Sequence, residues 1–107
     1  MHTLQVGLPI DVEVSSQRDA RYRTLAMTAD RLVMRGPLAL APGWVTELVL
    51  TERVPATVLL ANVISCEAMA SEHVILIQPV GLGGDAKIAW LEMLDRARTN
   101  QRHQEQP

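Results

Sequence analysis

The sequence predicts a mainly β domain, an antiparallel barrel or roll closed by one C-terminal α-helix. Three features support this prediction: short apolar runs with period-two alternation, Gly and Pro residues at close intervals between them, and helical periodicity after Gly84. Several short strands followed by a single helix are typical of a small barrel or roll.

Length and composition indicate one globular domain, which we assign to residues 1–98. The chain has 107 residues, of which 48% are apolar and 21% are charged. Two Trp, one Tyr and no Phe supply little for stacking on bases, and a formal net charge of −2 gives no general attraction to nucleic acid. The single Cys66 excludes an internal disulfide. Residues 1–5 show no basic start and no long apolar run, so we expect a cytoplasmic protein without a membrane span.

The first half of the chain contains three predicted strands separated by polar or Gly-Pro segments. Residues 8–14 alternate between apolar and polar types, as expected for a half-buried strand. Polar residues 15–19 predict a turn, residues 22–28 a second strand and residues 32–34 a short third strand. Residues 38–41 fit either a short strand or a helical turn.

The second half contains the longest apolar segment. Residues 45–51 predict a strand, and residues 54–66 predict a long one in which Asn62 indicates a bulge or a change of facing. Residues 67–72 predict a turn and residues 73–80 a final strand.

A helix is predicted from Ala86 to Arg98, with Asp85 as its cap. Its apolar face consists of Ala86, Ala89, Trp90, Met93, Leu94 and Ala97. Ile88 and Leu91 lie off this face, so they either widen the buried surface or remain for a partner. The polar residues 99–107 predict a disordered tail.

The segment from Ala26 to Gly43 resembles the nucleotide-motif region of PilZ domains. That family places Asp or Asn, any residue, Ser, two further residues and Gly on a strand, followed by a Leu-rich stretch and a Gly. Here Ala26, Thr28 and Arg31 occupy the positions of the acid or amide, the Ser and the Gly. The Arg-x-x-x-Arg pair that the family carries before its first strand is absent from residues 1–7. The order of elements matches over residues 8–98, and the resemblance implies a six-stranded antiparallel PilZ-like β-barrel with one C-terminal α-helix.

The resemblance implies a non-enzymatic regulatory or adaptor domain in bacterial cyclic di-GMP or type IV pilus motility signalling. It would act by protein–protein interaction, with impaired nucleotide binding, and either a monomer or a homodimer fits. One alternative is a cyclic di-GMP receptor with a divergent arginine site on the 18–23 hairpin. Another is an unrelated small barrel that serves as an oligomerisation domain. We predict no catalytic residue and no cofactor, with cyclic di-GMP as a ligand that we do not favour. We predict no metal site, since His2, His73 and His103 are far apart.

Five residues are candidates for an anion or nucleotide site. They are Arg18, Arg21, Arg23, Thr28 and Arg31. Guanidinium groups offer planar, bidentate donors to phosphates. The competing interpretation, which we favour, is a solvated hairpin whose Arg stems cover apolar surface. We likewise favour an ordinary strand-end role for Thr28.

Three residues are candidates for a partner interface: Trp44, Ile88 and Leu91. Trp44 follows Pro42-Gly43 and is either an exposed anchor at a loop tip or a cap over one end of the barrel, and we place the cap first. For the helix we place a structural role ahead of a partner role.

Overall fold

The computed structural model describes residues 4–5, 11–14, 17–50 and 57–105, and it describes side chains over residues 20–50 and 57–99. These ranges contain seven strands and one helix. They are β1 (Leu4–Gln5), β2 (Asp11–Val14), β3 (Gln17–Met27), β4 (Leu32–Gly36), β5 (Val45–Leu50), β6 (Thr57–Met69), β7 (Glu72–Val80) and α1 (Gly84–Glu105). The predicted mainly β fold with one C-terminal helix is confirmed.

All strand pairs are antiparallel, and the five longer strands β3–β7 form a curled sheet to which the short β1 and β2 add. The strand order is β1-β3-β2-β5-β6-β7-β4, with a further pairing between β3 and β4. Strands β5, β6 and β7 are neighbours both in the chain and in the sheet, and the turn at Ala70-Ser71 joins β6 to β7.

The strand boundaries differ from the prediction in three places. Strand β3 begins at Gln17, inside the predicted turn, because its first residues pair with β2. Strands with one solvated face contain polar residues, so a polar segment does not by itself distinguish a turn from a strand. Strand β6 continues to Met69, and the hairpin turn lies at Ala70-Ser71. Residues 38–41 form neither a strand nor a helical turn. The parts of the predicted strands at residues 8–10, 51 and 54–56 lie outside the described residues.

The bulge predicted at Asn62 lies slightly further along β6, where the register shifts between Val63 and Ser65. The shift leaves Ile64 without a register partner on β7. Because one residue is skipped, Cys66 lies opposite the buried Ile75 and faces the core.

The core lies between the curled sheet and α1. Its largest fully buried side chains include Trp90, Tyr22, Met27, Leu32 and Met34. The predicted apolar face of the helix is confirmed, since Ala89, Trp90, Met93, Leu94 and Ala97 are buried. The Trp90 Nε1–H donates a hydrogen bond of 2.9 Å to the carbonyl of Ala29, which ties α1 to the β3–β4 hairpin.

Both ends of the helix differ from the prediction. The Lys87 N–H donates to the Gly83 carbonyl at 3.4 Å, so Asp85 lies inside the first turn and is not the cap. An acid there still interacts favourably with the helix dipole. The helix extends to Glu105, so residues 99–105 of the tail predicted to be disordered are helical. Their Gln, Arg and Glu residues are good helix formers, and a polar sequence is compatible with a solvated helix.

Candidate functional site

The loop between β4 and β5 presents Trp44 through a tight turn and a bulge. The Trp44 N–H donates to the Ala41 carbonyl at 3.2 Å, which places Pro42 and Gly43 at the centre of a β-turn. Gly43 has a φ of 88°, as the third residue of a type II turn requires. The Gly43 N–H donates to the Val63 carbonyl, and the Val63 N–H donates to the Trp44 carbonyl, both at 2.8 Å. Gly43 and Trp44 therefore both lie opposite the single residue Val63. This arrangement is a β-bulge whose first residue is a Gly in the left-handed region.

Trp44 is 71% exposed, so the favoured prediction that it caps the barrel is wrong, and its side chain lies exposed at the loop tip. The bulge aims its side chain away from the core even though its partner Val63 is buried. Exposure of so large an apolar surface is unusual in a side chain that carries only one polar group.

A buried tyrosine fixes the start of the same loop. The Tyr22 hydroxyl donates a hydrogen bond of 2.8 Å to the carbonyl of Leu38, and the Tyr22 side chain is fully buried. Burial raises the pKa of Tyr22 above its ordinary value, and an electrostatic interaction with Cys66 adds to the effect. The phenol is therefore a proton donor under ordinary conditions, and the loop is anchored at Leu38.

A groove of about 260 Å³ lies beside Trp44. Its lining residues are Leu40, Ala41, Trp44, Val45, Thr46, Glu47 and Val63. Leu40 and Val63 are buried, whereas Val45 is 57% exposed. Glu47 is the one charged residue in this lining. The groove is thus an apolar surface with an acid at its rim, next to an exposed indole.

Sequence reasoning did not single out Val45, Thr46 or Glu47 as site residues. The available signal was Pro42-Gly43, which predicts a tight turn directly before this strand. That signal indicates where the chain turns, but the sequence does not show which side of the following strand stays uncovered.

The arginine candidates do not form one site. Arg21 and Arg23 are exposed on the same face of β3, two residues apart. Thr28 and Arg31 flank the β3–β4 turn, beyond the end of β3 and about 17 Å along the strand from Arg23. The side chain of Arg18 lies outside the described residues.

Acidic residues accompany the two arginines of β3. Asp11 and Glu13 occupy the β2 register positions opposite Arg23 and Arg21. On the other side Arg23 lies opposite Arg35, whose Nε is 2.8 Å from Glu72 Oε1. Arg35 Nε has no hydrogen-bond partner, so its contact with Glu72 is an ion pair without hydrogen-bond geometry. The acids on β2 lie opposite two of these arginines and Glu72 pairs with the third, which supports the interpretation of a solvated face with balanced charge.

At the positions that resemble the PilZ motif, one side chain is buried and another bonds within its own turn. Ala26 is buried and has no polar side-chain atom. The Thr28 hydroxyl donates to Asp30 Oδ1 at 2.9 Å, and the Thr28 N–H donates to the Arg31 carbonyl at 2.9 Å. These bonds close the β3–β4 turn, and the Arg31 side chain points into solvent.

The helix candidates form a second exposed apolar surface. Ile88 is 50% exposed and Leu91 is 51% exposed. Residues three apart are neighbours on a helix surface, so these two side chains form one small patch. The Trp44 groove, in contrast, combines residues from the β4–β5 loop, β5 and β6.

Among the side chains that the structure describes, no three His, Cys, Asp or Glu residues group together as metal ligands would. The helix found in the described ranges is not apolar enough over a sufficient length to cross a membrane. Comparisons with protein-family models, curated proteins and solved structures found no match to this chain.

Proposed function

We propose that this chain is a non-enzymatic regulatory adaptor of PilZ type that acts by binding another protein at the Trp44 groove. The observation that carries the proposal is the 71% exposure of Trp44 at the edge of an apolar groove. Trp is among the residues most enriched at the energetic centres of protein interfaces. In this proposal Trp44 is the anchor, and the groove receives an apolar side chain of the partner.

The size of the groove favours a protein partner over a small molecule. Pockets that enclose small molecules have volumes of about 300–1,000 Å³ and bury most of the ligand. The groove measures about 260 Å³ and opens along the sheet surface beside an exposed indole. Such a site suits one or two side chains better than a cyclic dinucleotide.

The strand pairings support the PilZ-like part of the proposal, in which the sheet closes into a six-stranded barrel. Strand β4 stands at one end of the strand order, and its pairing with β3 links it back to the other end. The series β3-β2-β5-β6-β7-β4 thereby returns to β3 with antiparallel partners at every step. Closure of this kind removes exposed sheet edges.

Impaired nucleotide binding is the second part of the proposal. The support is that buried Ala26 has no polar side-chain atom and that the Thr28 hydroxyl donates to Asp30. Cyclic di-GMP or motility signalling in the bacterial cytoplasm is the setting that the PilZ resemblance implies. Calorimetric titration of the purified chain with cyclic di-GMP tests this part, at moderate salt so that weak charge attraction is screened. We expect no saturable heat, and micromolar or tighter binding would refute it.

Site-specific photocrosslinking tests the protein-contact part. p-Benzoylphenylalanine at position 44 keeps an aromatic side chain at the loop tip, and the same residue at Val58, which is 49% exposed on β6, is the matched control. Irradiation in the host cells should give a discrete protein adduct from position 44 and none from position 58. Equal labelling at both positions, or no adduct at either, would overturn the assignment of the groove as a protein-contact site.

A nucleotide receptor is the second candidate function, because Arg21, Arg23 and Arg35 lie on one face of β3 and β4. In this version the phosphates bind Arg21 and Arg23 in place of the missing family arginines. Arg21→Glu combined with Arg23→Glu should then abolish cyclic di-GMP binding while the melting temperature changes little. Retention of any measured affinity in this variant would exclude the arginine face as the site.

A further inference from the structure

We propose that Cys66 and His73 form a two-coordinate site for a soft monovalent metal ion, copper(I). Cys66 Sγ lies 4.0 Å from His73 Nδ1, and both side chains are half-buried. Neither residue lines the Trp44 groove, so this proposal is independent of the adaptor function. Its support comes from the register of the β6–β7 hairpin, the distance between the two donor atoms, and the charge of the complex that they would form.

The β6–β7 hairpin brings the two donors to one face of the sheet. Cys66 lies opposite Ile75, and Ala68 lies opposite His73. Cys66 and His73 are therefore diagonal neighbours on one face, a separation that longer side chains bridge. Ile75 is buried, so this face is the inner one. The spacing of the histidines in the sequence does not reveal the pair, because only the strand register joins residues 66 and 73.

The distance between the donor atoms leaves room for one ion between them. The 4.0 Å separation corresponds to a sulfur–metal–nitrogen angle of about 135° for bonds of about 2.3 Å to sulfur and about 2.0 Å to nitrogen. That angle is wider than the roughly 109° of a tetrahedral site, the geometry that zinc adopts with four ligands. Wide angles are typical of soft d¹⁰ ions that bind only two ligands, and thiolate ligands select copper(I) among them.

The number of donors also favours an ion that needs only two. Among the described side chains, no third His, Cys, Asp or Glu groups with Cys66 and His73. Tyr22 interacts electrostatically with Cys66, but its hydroxyl is engaged with the Leu38 carbonyl. Met69 carries the other sulfur of this hairpin, and strand alternation directs it to the opposite face, where it is 52% exposed. A structural zinc site needs more ligands than this face supplies in the described part of the chain.

The charge of the complex selects a monovalent ion. The Cys66 thiolate carries one negative charge and a neutral His73 imidazole carries none, so a monovalent ion gives a neutral complex. A divalent ion would leave one positive charge beside the buried Tyr22 ring and Ile75, which is costly at a half-buried position. Binding requires His73 Nδ1 without its proton and Nε2 with it. The ion displaces one proton, that of the Cys66 thiol, which passes to solvent as the sulfur–metal bond forms, and no electron is transferred.

The neighbours of His73 leave space around its imidazole. Its register partners are Gly36 on β4 and Ala68 on β6, which are the two smallest residue types. The Tyr22 ring packs against Gly36, so it forms the inner wall beside the pair. Because Cys66 and His73 are both partly exposed, an ion can reach them without opening of the core.

Transfer of copper(I) from a coloured chelate measures the binding. The purified chain is added, without oxygen and with a reductant that is not a thiol, to the copper(I) complex of bathocuproine disulfonate, whose visible absorbance falls as the chain takes the ion. We expect one ion per chain. Cys66→Ser should abolish the transfer, and His73→Gln should lower the affinity by about tenfold or more. Cys66→Ala serves in place of Cys66→Ser if circular dichroism shows that the hydroxyl disturbs the fold.

Met69→Leu and His103→Gln are the matched controls, because each removes a sulfur or an imidazole elsewhere in the chain. Both should take up copper(I) as the wild type does. X-ray absorption of the loaded wild type should report one sulfur and one nitrogen bound to copper. Together with loss of binding in the Cys66 and His73 variants, these results would support the site.

Several results would overturn the proposal. No transfer to the wild-type chain would exclude a site of useful affinity, and equal affinity of His73→Gln would show binding by the thiol alone. One ion per two chains would show a copper bridge between the Cys66 residues of two copies. Weaker binding by Met69→Leu or His103→Gln would place a ligand elsewhere. None of these variants changes Trp44, so the adaptor function is tested separately.

Discussion

Replacing Gly36 by Ala tests how tightly the core is packed beneath the loop that carries Trp44. Gly36 is the last residue of β4, and its φ does not lie in the region that favours glycine. A Cβ at this position would overlap the ring of Tyr22, lying 2.6 Å from Cε2 and 2.8 Å from Cγ, with Cδ2 closer still. Carbon atoms in contact are normally about 3.5–4.0 Å apart, so the ring must move by roughly 1 Å or more.

The ring has little freedom to move. Tyr22 is fully buried, and its hydroxyl donates to the Leu38 carbonyl at 2.8 Å. Overpacking of a well-packed core costs about 1–3 kcal/mol, and loss of one hydrogen bond adds about 1 kcal/mol. Gly36→Ala should therefore reduce the free energy of unfolding by about 2–4 kcal/mol. At about 4 °C per kcal/mol for a domain near this size, the melting temperature should fall by about 8–16 °C.

A double-mutant cycle isolates the contact. Urea unfolding is measured for the wild type, Gly36→Ala, Tyr22→Leu and the combination, with the denaturant slope checked for constancy. Since Tyr22→Leu removes the ring, Gly36→Ala should cost at least 1 kcal/mol less in that background, which is a sizeable coupling energy. Additive free energies, or a single variant as stable as the wild type, would refute the steric argument.

The remaining predictions concern Tyr22, Trp90 and Trp44. Tyr22→Phe should cost about 1 kcal/mol in urea unfolding, because the Leu38 carbonyl loses its donor. Burial raises the pKa of Tyr22, so its contribution to stability is complete below the unfolded-chain pKa of about 10 and is lost as the pH rises through the higher folded value. The alkaline decline in melting temperature should therefore be steeper for the wild type than for Tyr22→Phe, and equal slopes would contradict this. Trp90→Phe should cost about 1–3 kcal/mol by thermal unfolding, because it leaves the Ala29 carbonyl without the indole donor and opens space in the core. Acrylamide should quench the fluorescence of Trp44 and leave that of Trp90 nearly unchanged, and Trp44→Ala should abolish the quenched fraction.

The elements with strong periodicity were predictable from the sequence. The helix face around Trp90 and the strand at 45–50 follow directly from the spacing of apolar residues. The start of β3 was not predictable, because Gln17 to Asp19 are polar and a strand with one solvated face accepts such residues. The helix end was missed for a related reason, since a polar composition describes both a disordered tail and a solvated helix.

The candidate site was only partly predictable. Pro42-Gly43 indicated the turn before Trp44, but the exposure of the indole depends on the bulge opposite Val63, and that pairing joins segments distant in the sequence. The spacing of Arg21 and Arg23 correctly placed them on one face. The charges that accompany them depend on strand register with β2 and β4, which the sequence pattern does not specify.

The position of Trp44 results from three constraints on one loop. Gly36 leaves room for the Tyr22 ring, the Tyr22 hydroxyl binds the Leu38 carbonyl, and the Pro42-Gly43 turn feeds the bulge at Val63. Each constraint acts on the backbone, so the indole does not gain burial by a simple rotation of its side chain. A flexible loop would allow Trp44 to collapse onto the nearby apolar surface, since burial of an aromatic side chain is favourable by about 1.5–3 kcal/mol. Because the backbone is fixed, the indole stays exposed in the isolated chain, and the free energy of its burial is gained only on contact with another molecule.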